Sequence, residues 1–351
     1  MGHVAVRAWL VAASAAFVLC AAGSAAAHGV SLDLDHPYAE NSAFHRNFVV
    51  PWAQQVQTAS GGRIYFHLHP ASTRGGGAQG LYEQVQQSGV DVALVPLEAS
   101  RERFPRMALM QLPFSIRTGQ GGSLAAWEYA RLNDVLDRDF DEVRVIALHA
   151  GDGTQLHFGK AFSEPPGQVN GLRIAALTPS DAALLSAMGA TAVSLPAERI
   201  ADALDQGTVD AALLSWERAA ALGVDRAAKS HLEVGAGNPG MTSTLFVFAM
   251  SGGSFRSLAD DLKTVVGAGS GKDTAAWLGR VLDEAAAKAR QAAAARGDAI
   301  SVLTPQAREK WLQAARAVGD AQLKALEQAE IPVRPLLQSA REQLQELDPG
   351  R

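Results

Sequence analysis

Residues 170–217 read NGLRIAALTPSDAALLSAMGATAVSLPAERIADALDQGTVDAALLSWE. Leu172–Ala176 is an apolar run of strand length, and Ser180–Met188 follows with helical spacing until Gly189 ends it. Ala192–Leu195 is a second strand. Pro196 opens a helix over Ala197–Leu204, Gly207 stops it, and Val209–Leu214 is a third strand. Strands alternating with helices in this way predict a mainly parallel sheet joined by right-handed crossovers.

The same alternation lies upstream. Val30–Leu34 reads as a strand, and Ser42–Ala59 as a helix with Phe44, Phe48, Val49, Trp52 and Val56 on one face. Gly61-Gly62 breaks that helix before a strand at Ile64–Leu68, a helix at Leu81–Ser88 and a buried strand at Val92–Val95. Val145–Leu148 opens the second unit, and the apolar strand Thr244–Met250 is expected to cross back to the first. From Thr274 the chain is Ala-, Gln- and Lys-rich with helical spacing. Pro305 opens a helix over Gln306–Ala325, and Pro332–Arg351 forms one more. The fold class is α/β, two doubly wound units enclosing a cleft. Residues 28–150 with 243–281 make domain I, 151–242 with 282–310 make domain II, and 311–351 are C-terminal helices. Small-molecule sites favour such interfaces, at strand ends and helix N-termini.

Residues 1–27 read as a secretory signal. Arg7 precedes an apolar run from Ala8 to Ala22, and Ala25-Ala26-Ala27 fits a cleavage site that would leave His28 first. That run is short for a membrane span, a retained anchor being the alternative. Cys20 is the sole cysteine of the 351 residues and lies inside this leader. A mature chain in the periplasm would therefore hold no disulfide and no thiolate metal site. Leu19 before Cys20 speaks against a lipoprotein. The formal net charge of −5 and the absence of a basic stripe exclude a nucleic-acid partner.

No enzyme constellation emerges. There is no G-x-S-x-G elbow. Residues 267–272 resemble a phosphate loop superficially, but Val266 stands where glycine is required and Asp273 where a hydroxyl would hold magnesium. His67 and His69 share a strand face without a third ligand at a characteristic spacing. The reading is a non-enzyme without cofactor or metal.

The stretch from Gly171 carries parts that together resemble a known family. These are Gly171-Leu172-Arg173-Ile174, Met188-Gly189-Ala190, Pro196 with Glu198, Ala203-Leu204, Gly207 with Val209-Asp210, and Ser215-Trp216-Glu217. Upstream, Pro51-Trp52-Ala53, Ser60-Gly61-Gly62-Arg63, Phe104-Pro105-Arg106 and Leu112-Pro113-Phe114 also fit. In order and spacing the chain is similar to the solute receptors of tripartite ATP-independent (TRAP-type) transporters, the dicarboxylate-binding receptor family. The resemblance implies a two-domain periplasmic-binding-protein fold with a long helix spanning both domains. It implies a monomer that closes over one small organic acid and delivers it to a TRAP-type membrane permease. A sensory ligand-binding protein for a receptor kinase, or an enzyme of unknown type on the same fold, are the competing classes.

The resemblance also exposes a departure. The arginine that holds the ligand carboxylate in most members aligns with Ala175, and a second arginine of some members aligns roughly with Gln155. A planar guanidinium donates two parallel hydrogen bonds to a carboxylate, so its absence matters. Arg173 shares the strand face of Ala175 by parity, and Arg74 stands in a glycine loop after a strand. Either is a replacement or a surface residue. A ligand without a carboxylate is the third reading. Trp216 is a candidate apolar wall or ordinary packing. Gln155 and Thr178 are candidate polar contacts, and His36 follows the first strand. The ligand itself is left open.

Overall fold

In a computed structural model the described residues are 29–74, 78–162 and 167–349. The leader and the Pro165-Pro166 loop lie outside them. Among the described residues eleven strands form two sheets. The first holds β1 (Val30–Asp35), β2 (Ile64–His69), β3 (Val92–Pro96), β4 (Val143–Ala150) and β10 (Leu245–Ser251), in the order β2-β1-β3-β10-β4. The second holds β5 (Gln155–Phe158), β6 (Arg173–Ala176), β7 (Thr191–Ser194), β8 (Ala211–Leu214), β9 (Ser230–Glu233) and β11 (Ala299–Val302), in the order β11-β9-β5-β8-β6-β7.

β1 pairs in parallel with β2 and β3, and β6 with β7 and β8, as the crossover helices demand. The chain re-enters the first sheet through β10, which lies antiparallel between β3 and β4. β3 and β8 are central and buried on both faces, which is why they read as unbroken apolar runs. Each sheet is sandwiched between two apolar clusters, one per face. For the first these centre on Tyr129 and Trp52, for the second on Trp311 and Ile200.

The expected helix at 42–59 is divided. His45–Val49 is π-helical and Val50–Ala59 is α-helical. Pro51 has no N–H for the bond back to residue 47, so the preceding turn widens there.

A 25-residue helix, Lys272–Arg296, runs alongside both lobes. Its Leu278, Val281 and Leu282 join the first lobe's core, while Ala286, Ala289 and Ala293 pack on Trp216 of the second. It touches the Gly119–Leu132 helix backbone to backbone. A Cβ on Gly279 would sit 2.2 Å from the Gly119 carbonyl oxygen, so only hydrogen fits there. Of the C-terminal helices, Pro305–Gln328 lies on the second lobe through buried Trp311, whose indole donates to the Gly167 carbonyl at 3.1 Å. Val333–Leu347 returns to the first lobe and buries Val333, Leu336, Ala340 and Leu344.

Candidate ligand-binding site

Two connecting segments cross between the lobes and pair. Gly151 N–H donates to the Thr244 carbonyl (3.0 Å), Thr154 N–H to Thr242 (2.9 Å), and Met241 N–H to Thr154 (3.1 Å). The Thr154 and Thr242 hydroxyls meet at 2.8 Å. Gly153 and Gly240 face each other so closely that a Cβ on Gly153 would lie 2.3 Å from the Gly240 Cα. Above this crossing lies a cavity of about 230 Å³, lined from both lobes.

The first lobe supplies Pro37 and Tyr38 after β1, Pro96 at the end of β3, and Phe246 of β10. The second supplies the carboxyl ends of β6 and β8 with the helices they feed, where open α/β sheets place their ligands. After β6, Thr178 caps the helix Pro179–Ala187. Its hydroxyl accepts from Asp181 N–H at 3.0 Å, and the Asp181 carboxylate accepts from Thr178 N–H at 3.1 Å and from the Thr242 hydroxyl. After β8, the Ser215 hydroxyl accepts from Arg218 N–H at 3.2 Å and starts the helix Trp216–Ala221. Successive residues on a helix turn by about 100°, so the three side chains of that first turn diverge. Trp216 points away from the cavity; Glu217 and Arg218 line it.

The half-buried Arg218 guanidinium lies 5.0 Å from the centre of the Tyr38 ring, a cation–π contact across the seam between the lobes. Among the described residues no carboxylate pairs with it, whereas Arg173, Arg290 and Arg296 are each paired. The surrounding acids are held from ionising freely. Burial pushes Glu217 up to about 7 against the opposing charge of Arg218, and pushes Asp181 up to about 6 against the hydrogen bonds from Thr242 and Thr178. Burial, reinforced by Glu217, drives Asp152 well above the usual carboxylate range. Among the described residues the lining thus presents Arg218 as a cation without a carboxylate partner, beside acids whose ionisation burial opposes. That suits one small anion enclosed by apolar walls.

Of the residues singled out from sequence, Thr178 lines this cavity, although its hydroxyl is engaged in the cap. The other six lie outside the lining. Arg173 stands at the amino end of β6 and is exposed, bonding Asp210 (3.1 Å) and the Gly207 carbonyl (2.7 Å). Parity gives its face, but the ligand end of a parallel strand is the other one, roughly 10 Å further at 3.3 Å per residue. Ala175 is wholly buried against the Ile200–Asp205 helix. Gln155 spends its amide on backbone, accepting from Val234 N–H at 2.9 Å. Trp216 packs on the spanning helix and donates to Glu233 at 2.8 Å. Arg74 pairs with Asp33 at 3.2 Å. His36 is wholly buried, 2.9 Å from His45, one residue short of the lining pair Pro37-Tyr38.

Sequence reading passed over Arg218, Tyr38 and Asp181. The signal for Arg218 was present: a buried strand ending at Leu214, a serine N-cap, and an arginine in the first turn that follows.

A family model for bacterial extracellular solute-binding proteins, family 7, matches residues 35–325. The chain belongs to this family. It is similar in structure to a TRAP solute-binding protein from Rhodoferax ferrireducens, solved with copurified benzoate. That protein is 29% identical, with a TM-score of 0.82 over 91% of this chain and 98% of the other. A TRAP solute-binding protein from a marine metagenome, solved with 3-hydroxybenzoate, shares the fold at 24% identity, with a TM-score of 0.85 over 92% and 99% of the two chains. Among curated proteins, the outer membrane transporter protein TsaT of Comamonas testosteroni is 24% identical over 181 residues. That match spans about half the length of each, 52% of this chain and 53% of the relative.

Among the described residues no helix is long and apolar enough to cross a membrane. Family 7 is a family of extracellular binding proteins, and the architecture is a two-lobed α/β receptor with a spanning helix.

Proposed function

We propose that this protein is a monomeric extracytoplasmic receptor that encloses one small monocarboxylate between its lobes and hands it to a TRAP-type permease. Export by the leader at residues 1–27 and residence in the periplasm belong to this reading, as does a cycle of binding and release without a covalent step. The carrying observation is Arg218: an arginine without a carboxylate partner among the described residues, inside the inter-lobe cavity, fixed against Tyr38 of the opposite lobe. It offers the bidentate donor set that Ala175 lacks, from another element of the same lobe.

The cavity volume of about 230 Å³ lies below the roughly 300–1,000 Å³ of drug-sized sites. Leu177, Leu213, Phe246 and Pro96 offer apolar contact. The fit is therefore to a compact carbon skeleton with one carboxylate, such as the benzoate held by the Rhodoferax relative. Among the described residues Arg218 is the sole basic one lining the cavity, so a second carboxylate would find no counter-charge there.

A thermal-shift screen of refolded protein against small monocarboxylates, dicarboxylates and neutral analogues tests this. A ligand at 100 times its Kd adds roughly 2.7 kcal/mol of stability. The expected result is stabilisation by a monocarboxylate that Arg218→Ala abolishes and Arg173→Ala does not. Stabilisation by neutral compounds alone contradicts the proposal.

A further inference from the structure

The cavity holds more polar groups than a carboxylate clamp needs. Glu217 and Tyr38 are each only 4% exposed, and both line it. Neither the Glu217 carboxyl nor the Tyr38 hydroxyl has a hydrogen-bond partner among the described residues. Asp152 adds a third group: one carboxyl oxygen accepts from Trp216 N–H at 3.2 Å, and the other is buried without a partner. A buried polar group left without a partner is costly, and a group opening onto the cavity can be paired by what lies in it. Such groups converging on one small cavity are completed by what the cavity encloses.

These groups sit at one pole. The Tyr38 hydroxyl feels the charges of Glu217, Arg218 and Asp152 together, and the Arg218 guanidinium lies over the Tyr38 ring. A ligand whose carboxylate meets Arg218 therefore brings its neighbouring carbon beside Tyr38 and Glu217. The substituent on that carbon faces a donor and a carboxyl at once. A hydroxyl accepts from Tyr38 and donates to Glu217, satisfying both. An ammonium has no lone pair for Tyr38. A methyl or hydrogen leaves both unpaired. The apolar wall of Leu177, Leu213 and Phe246 then takes the rest of the skeleton.

We infer that the ligand is a 2-hydroxy monocarboxylate with an apolar substituent, and that Tyr38 and Glu217 are the specificity-determining residues that read its hydroxyl. This rests on Arg218 as the carboxylate anchor.

The test is calorimetric titration with mandelate, with 2-phenylpropanoate (methyl in place of hydroxyl), with phenylacetate and with benzoate. Mandelate should bind at least about tenfold tighter than 2-phenylpropanoate, since a site built to bond a hydroxyl rejects the analogue lacking it. In Tyr38→Phe and in Glu217→Leu that preference should fall to about twofold or less, and Arg218→Ala should weaken all four acids. If Glu217→Leu does not fold, Tyr38→Phe, which removes one oxygen, decides alone. Equal binding of mandelate and 2-phenylpropanoate, or a preference that survives Tyr38→Phe, overturns the inference and leaves the acid receptor standing, as does binding of benzoate without mandelate. Binding of none of the four acids removes both.

Discussion

Arg218 of the second lobe lies with its guanidinium 5.0 Å from the centre of the Tyr38 ring of the first, and both residues line the cavity. The pair is not a salt bridge. A cation over an aromatic face stays free to donate its N–H groups elsewhere, so Tyr38 orients Arg218 without consuming it.

Replacing Arg218 by alanine should weaken carboxylate binding by two to three orders of magnitude. Removing one partner of a buried charge pair costs roughly 3–5 kcal/mol. Arg218→Lys should recover only part of the loss, because an ammonium lacks the fork and the stacking plane. Calorimetric titration of both variants checks this, with circular dichroism to confirm the fold.

The hinge is held by contact between two glycines. A Cβ on Gly153 falls 2.3 Å from the Gly240 Cα, and one on Gly240 falls 2.2 Å from the Gly153 Cα. Backbone cannot yield as a side-chain tip can, so Gly153→Ala should destabilise by at least the roughly 1–3 kcal/mol of ordinary overpacking. A lowered Tm checks this. Gly207, whose Cβ would meet nothing within 4 Å, is no spatial control, because its φ of +67° strains any side chain. Gly267 has open space and no such φ, so Gly267→Ala should be neutral or mildly stabilising.

A second bridge crosses the cleft. Glu98 of the first lobe accepts from the Ser180 hydroxyl at 2.6 Å, at the start of the second lobe's Pro179–Ala187 helix. A hydrogen bond to a charged group contributes roughly 1.5–3 kcal/mol, here to the closed arrangement. Ser180→Ala should raise Kd by about tenfold with little change in the secondary structure of the unliganded protein. Titration with small-angle scattering would show it, as a shift toward open lobes.

Glu217 gives a pH dependence whose sign can be stated. Its folded-state value is pushed from 4.5 up to about 7 by burial. Between those values the folded state binds more protons than the unfolded one, so this residue's contribution to stability is full below 4.5 and is lost as pH rises through 7. Glu217→Gln lacks the effect. The stability difference between variant and wild type should therefore shift toward the variant by roughly 3 kcal/mol across that window. Denaturant melts of both proteins at pH 4.5, 6 and 7.5 measure it. Anion binding should weaken over the same rise, as Glu217 ionises beside the ligand.

The fold was legible where local pattern and burial agree. β3, β6 and β8 are apolar, bounded by glycine or proline, and stand where their runs predict. The four-residue strands β5, β9 and β11 left no such trace. QLHF and SHLE carry histidines that look solvent-facing, yet His157 and His231 are buried and satisfy each other at 2.8 Å. The Gly119–Leu132 helix was hidden too. Its glycine-rich start is a poor helix former, and the carboxylates that hold that start, Asp283 and Asp348, lie far along the chain.

The site was legible as a place more than as a set of side chains. The cleft and the strand ends followed from topology. The position of Arg218 after a buried strand and a serine cap is visible in the sequence, but its freedom from a carboxylate and its seat on Tyr38 are tertiary facts. Arg173, read as either a replacement or a surface residue, has Asp210 as its partner.

The most direct measurement is a crystal structure of the protein grown with a monocarboxylate that stabilises it. The account predicts the ligand carboxylate within hydrogen-bond distance of both terminal nitrogens of Arg218, with Tyr38 beneath and the skeleton against Leu213 and Phe246. A carboxylate bound instead at Arg173 or Arg74, or an inter-lobe cavity left empty while acid binds elsewhere, would contradict it.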